Sequence, residues 1–188
     1  TEEQLVFIGD SPFNMTIAGL RLSSISNAVS DLHRITANNM WKNVERRSEI
    51  IGITNGVHVG TWVDQRIIDC FCDREKLWQT HMLLKKEMLD FVYKKTGIKM
   101  SPDVLTIGFA RRAAPYKRSD LIFQDKKMAD RMFKNDIQMI FAGKSHPLDD
   151  NGKQIIKNIL EMERRYKGKV VFLEDYDMEI GKYLTRGC

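Results

Sequence analysis

Three short apolar runs recur at a fixed interval in the carboxyl half of this 188-residue chain. They are Val104–Ala110, Ile137–Gly143 and Val170–Leu173, and successive runs begin about 33 residues apart. Each is rich in Val, Ile and Phe and nearly unbroken, as strands buried on both faces are. The segments between them carry helical spacing. Leu121, Ile122, Met128, Ala129 and Met132 mark a helix over 116–133, and Ile155, Ile156, Ile159, Leu160 and Met162 mark one over 152–166. Strand–helix–strand–helix–strand with right-handed crossovers predicts an α/β fold with a three-stranded, doubly wound parallel sheet. Three strands make a small sheet whose outer edge lacks a partner, so the domain reads as incomplete.

The amino half reads as mostly helical. Apolar stripes predict helices over 13–29 and 30–42, and Thr54-Asn55-Gly56 is a turn signal. Leu77, His81, Leu84, Met88 and Phe91 step by three and four along one face of a long helix over 73–95, which Gly97 would cap. The natural boundary then falls at 97–102. Residues 1–98 form a helical segment and residues 99–188 the opening of an α/β domain.

Charge narrows the range of partners. The net charge is +5, but 25 acidic residues are interspersed with 30 basic ones. That pattern lacks the long basic arm of a nucleic-acid binder and suits a small anionic substrate. Cys70, Cys72 and Cys188 are an odd set with neither a disulfide framework nor zinc-knuckle spacing, so reduced cytosolic thiols are expected. No apolar stretch reaches membrane-span length, and Thr1-Glu2-Glu3-Gln4 does not read as a signal peptide.

Chemistry-bearing residues gather where the predicted strands end. Arg111-Arg112-Ala113-Ala114-Pro115-Tyr116-Lys117-Arg118 places four cations in eight positions directly after the first run. Gly143-Lys144-Ser145-His146-Pro147 follows the second, and Glu174-Asp175-Tyr176 follows the third. All three therefore line one crest, where α/β folds bind ligands. Arg suits phosphate through its planar, bidentate guanidinium, and Lys117 adds a point charge from the first turn of the next helix. Gly143 would admit a close backbone approach, either to a ligand or to a packed neighbour. A solvated basic turn is the plain alternative.

Other motifs are absent. There is no Walker-type loop, no G-x-G-x-x-G and no G-x-S-x-G elbow. His33 reads as a core or cap residue, His81 as a core histidine, and His58 and His146 as loop residues. No pair has metal-ligand spacing.

Taken together, "FNMTIAGLRLSSISNAVSDLH", "ITNGVHVGTW", "IGFARRAAPYKRSDLIF", "IFAGKSHPLDDNGKQIIKNI" and "VVFLEDYDM" resemble the α-glucan (glycogen) phosphorylases, especially their shorter bacterial and archaeal type. The resemblance runs from about Phe13 to Tyr183 in the family's order. It implies part of a twin Rossmann-like glycosyltransferase fold, with 1–98 from the tail of the first domain and 99–188 from the first half of the second. It implies a cytoplasmic enzyme in which inorganic phosphate attacks the terminal glucose of an α-1,4-glucan and releases glucose 1-phosphate. The cofactor would be pyridoxal 5′-phosphate, whose own phosphate exchanges a proton with the substrate phosphate. Two phosphates held close together call for a dense cationic nest.

Residue by residue, the resemblance implies that Arg112 and Lys117 hold the substrate phosphate and that Tyr116 lines the same pocket. Arg111 stands where many phosphorylases have a lysine near the cofactor phosphate. Asn55 matches a residue that hydrogen-bonds the glucose, Val29 an apolar wall, and Tyr176 a cofactor-side tyrosine. Asp177 departs from the pattern, since better-known members carry arginine there. The family's "EASGT…MK" segment with the Schiff-base lysine has no match in the chain. Nor do the first domain's catalytic-histidine and glycine-rich loops. The chain is therefore expected to be an internal fragment, inactive alone, with no metal, nucleic-acid or membrane partner and with an open sheet edge that a second copy could pair. Two other readings stay open. One is a nucleotide-sugar-dependent retaining glucosyltransferase of the same architecture, which needs no pyridoxal phosphate. The other is a non-catalytic anion- or glucan-binding module.

Overall fold

The computed structural model describes all residues, Thr1–Cys188. The chain divides into two compact units, Thr1–Val57 and His58–Cys188.

The first unit contains helices α1 (Glu2–Gly9), α2 (Met15–Leu22) and α3 (Asp31–Met40), and strands β1 (Ser26–Ala28) and β2 (Ile50–Gly52). The two strands pair in parallel, Ser26 opposite Ile50. The helix expected over 13–29 is thus shorter. It ends at Leu22, and Ser26–Ala28 turn into a strand whose partner lies more than twenty residues away in sequence. Asn14 and Ser30 cap α2 and α3 by accepting backbone N–H bonds, which satisfies donors that a helix start leaves free. The core is small, made of Leu20, Ala28, Ala37 and Ile50 with Trp41 against them.

The second unit begins with α4 (Val59–Trp62) and α5 (Gln65–Asp69), followed by the long α6 (Arg74–Thr96). Asp73 caps α6 at its start. Gly97 ends it in the left-handed conformation at φ 71°, which glycine adopts without a Cβ penalty. Next come β3 (Leu105–Ala110), α7 (Lys126–Lys134), β4 (Ile137–Ala142), α8 (Asp150–Arg165), β5 (Val170–Leu173) and α9 (Met178–Gly187). The sheet is parallel in the order β3-β4-β5, as the periodic runs predict.

Alternation along the strands builds two cores. Met139, Phe141, Val170 and Phe172 point to one face, under Ala129 and Phe133 of α7 and Ile155 and Ile159 of α8. Ile140, Ala142, Val171 and Leu173 point to the other, under Met88, Leu89 and Val92 of α6 and Ile180 and Leu184 of α9. The compact units part at 57/58, and the expected boundary at 97–102 falls between α6 and β3, inside the second unit. The reason is that α6 covers one face of the sheet, so its apolar stripe belongs to the second unit's core.

The two sheet edges differ. On β5, the Phe172 N–H donates to the Glu163 carboxylate at 2.6 Å, so part of that edge is already satisfied. On β3, Leu105 is 60% exposed and no strand pairs the outer side. Inside the sheet, buried Gln138 donates to the Thr106 hydroxyl and the Ser101 carbonyl, each at 2.7 Å, and ties the strand starts together.

Candidate anion site

The register aligns Ala110 with Ala142 and Ala142 with Leu173, so the segments after β3, β4 and β5 leave the sheet side by side. The first two continue as a ladder beyond the strands. Arg111 N–H donates to the Ala142 carbonyl at 3.1 Å, and Ala113 N–H donates to the Lys144 carbonyl at 2.9 Å. Gly143 makes this possible. A Cβ there would lie 2.5 Å from the Arg111 carbonyl oxygen, closer than any side chain could sit. Gly152, in the first turn of α8, plays the same part against the Ala113 carbonyl, also at 2.5 Å. Gly143 therefore serves a packed backbone neighbour, which settles the two roles open in the sequence.

Past Ala113 the single helix expected over 116–133 is broken. Pro115–Lys117 and Leu121–Phe123 form separate 3₁₀ turns, and α7 starts only after Asp125, which caps it. Arg118 causes the break, because its φ of 51° is left-handed and incompatible with a continuing helix. Lys117 thus stands in a 3₁₀ turn. Ser119 follows, buried, with no hydrogen-bond partner for its hydroxyl; no sequence signal marked it.

The turn presents its cations to solvent. Arg111 and Arg112 are exposed, and neither they nor Lys117 forms an ion pair with a carboxylate. Tyr116 is 66% exposed, with the Lys117 ammonium 4.6 Å from its ring centroid. The Arg112 guanidinium beside its hydroxyl, followed by the charge of Lys117, holds the phenol below its ordinary value. A surface that gathers cations without pairing them is suited to an external anion.

The third group lies on the same edge but turns elsewhere. Tyr176 is half-buried against the α6/α9 core, with its hydroxyl beside Gly181. Asp177 caps α9 by accepting from the Ile180 N–H at 2.9 Å. That explains an acid at this position, and a carboxylate committed to a cap is no phosphate ligand. A cavity of about 400 Å³ opens next to Glu174 and Asp175, floored by Phe172 and Leu173 and walled by Leu160, Glu163 and Lys95. The residues present do not make a pyridoxal phosphate site. Arg111 is a suitable cation, but Tyr176 is engaged in packing and Asp177 carries the wrong charge.

Asn55 and Val29 meet in the first unit. The Asn55 N–H donates to the Val29 carbonyl at 3.1 Å, just past the ends of β2 and β1, and Val29 N–H donates to His33 Nδ1 at 3.2 Å. His33 is thus a cap, as expected. His58 bonds the Thr61 hydroxyl, and His146 Nδ1 accepts from the Leu148 N–H within its loop. No group of three or more His, Cys, Asp or Glu could hold a metal, and no helix is long and apolar enough to cross a membrane.

A charged clamp that the sequence did not reveal holds residues 61–69. Arg66 makes bidentate contacts to Glu87 at 2.6 and 2.8 Å and to Asp64 at 2.8 and 3.1 Å. Arg186 donates to the Trp62 carbonyl at 3.1 Å. Hydrogen bonds from Arg66 hold the carboxyls of both Asp64 and Glu87 below their ordinary values. Depressed carboxyls stabilise the fold above their unfolded values and lose that effect as the pH falls through the folded ones. The stability gap between the unmodified chain and Arg66→Met should therefore be full at pH 7 and shrink below about 4.5, the ordinary value for Glu87. Thermal melts of both proteins at pH 7 and 3 measure it, and an unchanged gap would contradict the clamp.

A three-layer α/β/α unit with an exposed cationic turn beyond its first strand is a Rossmann-like arrangement. In sequence, the chain is a homologue of part of the α-glucan phosphorylases. It is 32% identical to the glycogen phosphorylase of Aquifex aeolicus over 93% of this chain and 32% of that protein. It is 30% identical to the maltodextrin phosphorylase of Thermococcus litoralis over 93% of this chain and 26% of that protein. A more distant relative, 22% identical over 94% of this chain and 30% of the relative, is the granule-bound starch synthase 1 of Arabidopsis thaliana. The chain spans between a quarter and a third of the length of these relatives. No protein-family model matches the chain.

Proposed function

We propose that this chain is the phosphate-holding part of an α-glucan phosphorylase, a glycosyltransferase that releases glucose 1-phosphate from α-1,4-glucans with inorganic phosphate. The observation that carries this reading is the unpaired cationic turn seated on Gly143 and Gly152 at the carboxyl end of β3. Similarity to the two phosphorylases supports the choice of substrate.

In this reading Arg112 binds two oxygens of the substrate phosphate through its planar guanidinium, and Lys117 adds a point charge. The negative charge that the phosphate carries into its attack on the glucose is met by these cations. Tyr116 borders the phosphate, Asn55 hydrogen-bonds the glucose and Val29 forms an apolar wall. Residues 1–98 belong to the tail of one domain and 99–188 to the opening of the next. In the whole enzyme pyridoxal 5′-phosphate would supply a second phosphate, whose site the residues of this chain do not form by themselves. Of the two positions matched to the cofactor, Arg111 alone offers a free cation, since Tyr176 packs against the α6/α9 core, and the covalent lysine is assigned to none of this chain's residues. By itself the chain neither binds the cofactor covalently nor turns over glucan. The whole enzyme is cytoplasmic, in keeping with three free cysteines.

Titration of the chain with inorganic phosphate, followed by NMR, should shift the side-chain resonances of Arg112 and Lys117. Arg112→Ala should weaken binding about tenfold or more, since charge-assisted pairs contribute about 1.5–3 kcal/mol. Unmoved resonances, or equal binding by the variant, would count against the grip. The relationship to a starch synthase favours one second reading, a nucleotide-sugar-dependent glucosyltransferase. A nucleoside diphosphate that shifts the same residues at much lower concentration than phosphate would select it.

A further inference from the structure

The two edges of the three-stranded sheet are finished differently. Along β5 the outward N–H groups are taken. Val170 donates to the Tyr166 carbonyl at 3.1 Å and Phe172 to the Glu163 carboxylate at 2.6 Å. Along β3 the odd-numbered residues face β4, since the Leu105 and Arg111 N–H groups donate to the Asp136 and Ala142 carbonyls. The backbone groups of Thr106, Gly108 and Ala110 therefore face outward, and no strand pairs them. Val104, the outward residue before them, is closed off by Lys85, whose ammonium donates to its carbonyl at 2.6 Å. Gly108, in the middle of the strand, is exposed, and so is Leu105 at its start. An open edge of this kind is a template for one more strand.

We infer that the β3 edge is an interface between two copies of this chain, paired antiparallel about a two-fold axis at Gly108. The strand is complementary to itself in that register. Gly108 meets its own counterpart, and Thr106 and Ala110 face each other twice, so every outward group finds a partner. On the face that α7 and α8 cover, Ile107 lies opposite Phe109 of the second copy, at a pair where side chains stand closest. Leu105 lies opposite the aliphatic stem of Arg111. Charge selects the antiparallel sense. Asp103 before the strand and Arg111 after it are both exposed, and neither forms an ion pair within the chain. Antiparallel pairing sets the acid of one copy diagonal to the cation of the other, twice, whereas parallel pairing would bring like charges together. With six residues a side the contact is small, so the dimer stands in equilibrium with monomer. The pairing does not depend on phosphate.

Sedimentation equilibrium of the whole chain, from about micromolar to about millimolar concentration, should show monomer and dimer exchanging. Hydrogen exchange then locates the contact. The Thr106, Gly108 and Ala110 amides should be protected at high concentration and exchange faster on dilution, while the Phe172 amide stays constant. Asp103→Arg should raise the dissociation constant about tenfold, because the lost contact occurs twice, and Arg111→Asp should do the same. The double variant Asp103→Arg/Arg111→Asp restores opposite charges and should recover most of the affinity, which damage to the fold alone would not. A monomer at every concentration overturns the inference. A dimer in which the three amides exchange freely pairs elsewhere and overturns it too. Protection that persists in the monomer means that the chain covers its own edge, and it excludes the second copy. A double variant as weak as the single ones overturns the antiparallel register.

Discussion

Phe141→Ala should cost about 3–5 kcal/mol, the range for removing a large aromatic side chain from a core. Phe141 is 1% exposed on the central strand, with the rings of Phe109 and Phe123 at 6.0 and 5.5 Å. It anchors the face that α7 and α8 cover, and a three-stranded sheet has few other residues to absorb the cavity. Domains of this size have only about 5–15 kcal/mol of stability, so the variant should sit near its unfolding threshold. Urea unfolding followed by circular dichroism measures the loss. Leu148→Ala is the matched control, because that side chain is 86% exposed and should change stability by less than about 0.5 kcal/mol. A Phe141→Ala cost as small as the control's would show that this face is not packed as described.

Gly143→Ala should damage the anion site from beneath. The new Cβ would need the space 2.5 Å from the Arg111 carbonyl, and the obstacle is backbone, which cannot swing aside as a side chain does. The strand extension from Arg111 to Ala113 must move, and the Ala142 and Lys144 carbonyls lose their donors. Stability should fall by about 1–3 kcal/mol, as for overpacked sites. Phosphate affinity should fall about tenfold or more, because the guanidiniums leave their positions. Gly19→Ala makes the contrast. That glycine lies within α2 with nothing near its would-be Cβ, so alanine should stabilise the chain by about 0.5–1 kcal/mol and leave phosphate binding unchanged. Calorimetry and phosphate titration of both variants check the pair. Undiminished phosphate binding by Gly143→Ala would disconnect the crest from its support.

The carboxyl-half strands were legible because burial on both faces demands unbroken apolar runs, and β3, β4 and β5 coincide with those runs to within a residue. The amphipathic helices were legible for the same reason. The pieces that escaped are those decided by distant partners. Ser26–Ala28 has no apolar run to announce a strand and becomes one only because Ile50–Gly52 offers backbone partners. The helix over 116–133 has the right apolar spacing, yet Arg118 adopts a left-handed backbone that no local pattern signalled. Arg66 bridges Asp64, two residues away, and Glu87, twenty-one away; the second half of that clamp exists only once α6 has docked.

The candidate site divides along the same line. Its residue types and their position after strands are properties of the sequence: charge, period and strand length place Arg111, Arg112, Tyr116 and Lys117 at the end of β3. Strand register and close approach are tertiary properties. Only they seat the turn on Gly143 and Gly152 and pack Tyr176 against the α6/α9 core. Local chemistry selects which groups can bind an anion, while backbone contacts between segments remote in sequence select which of them are held where one could bind.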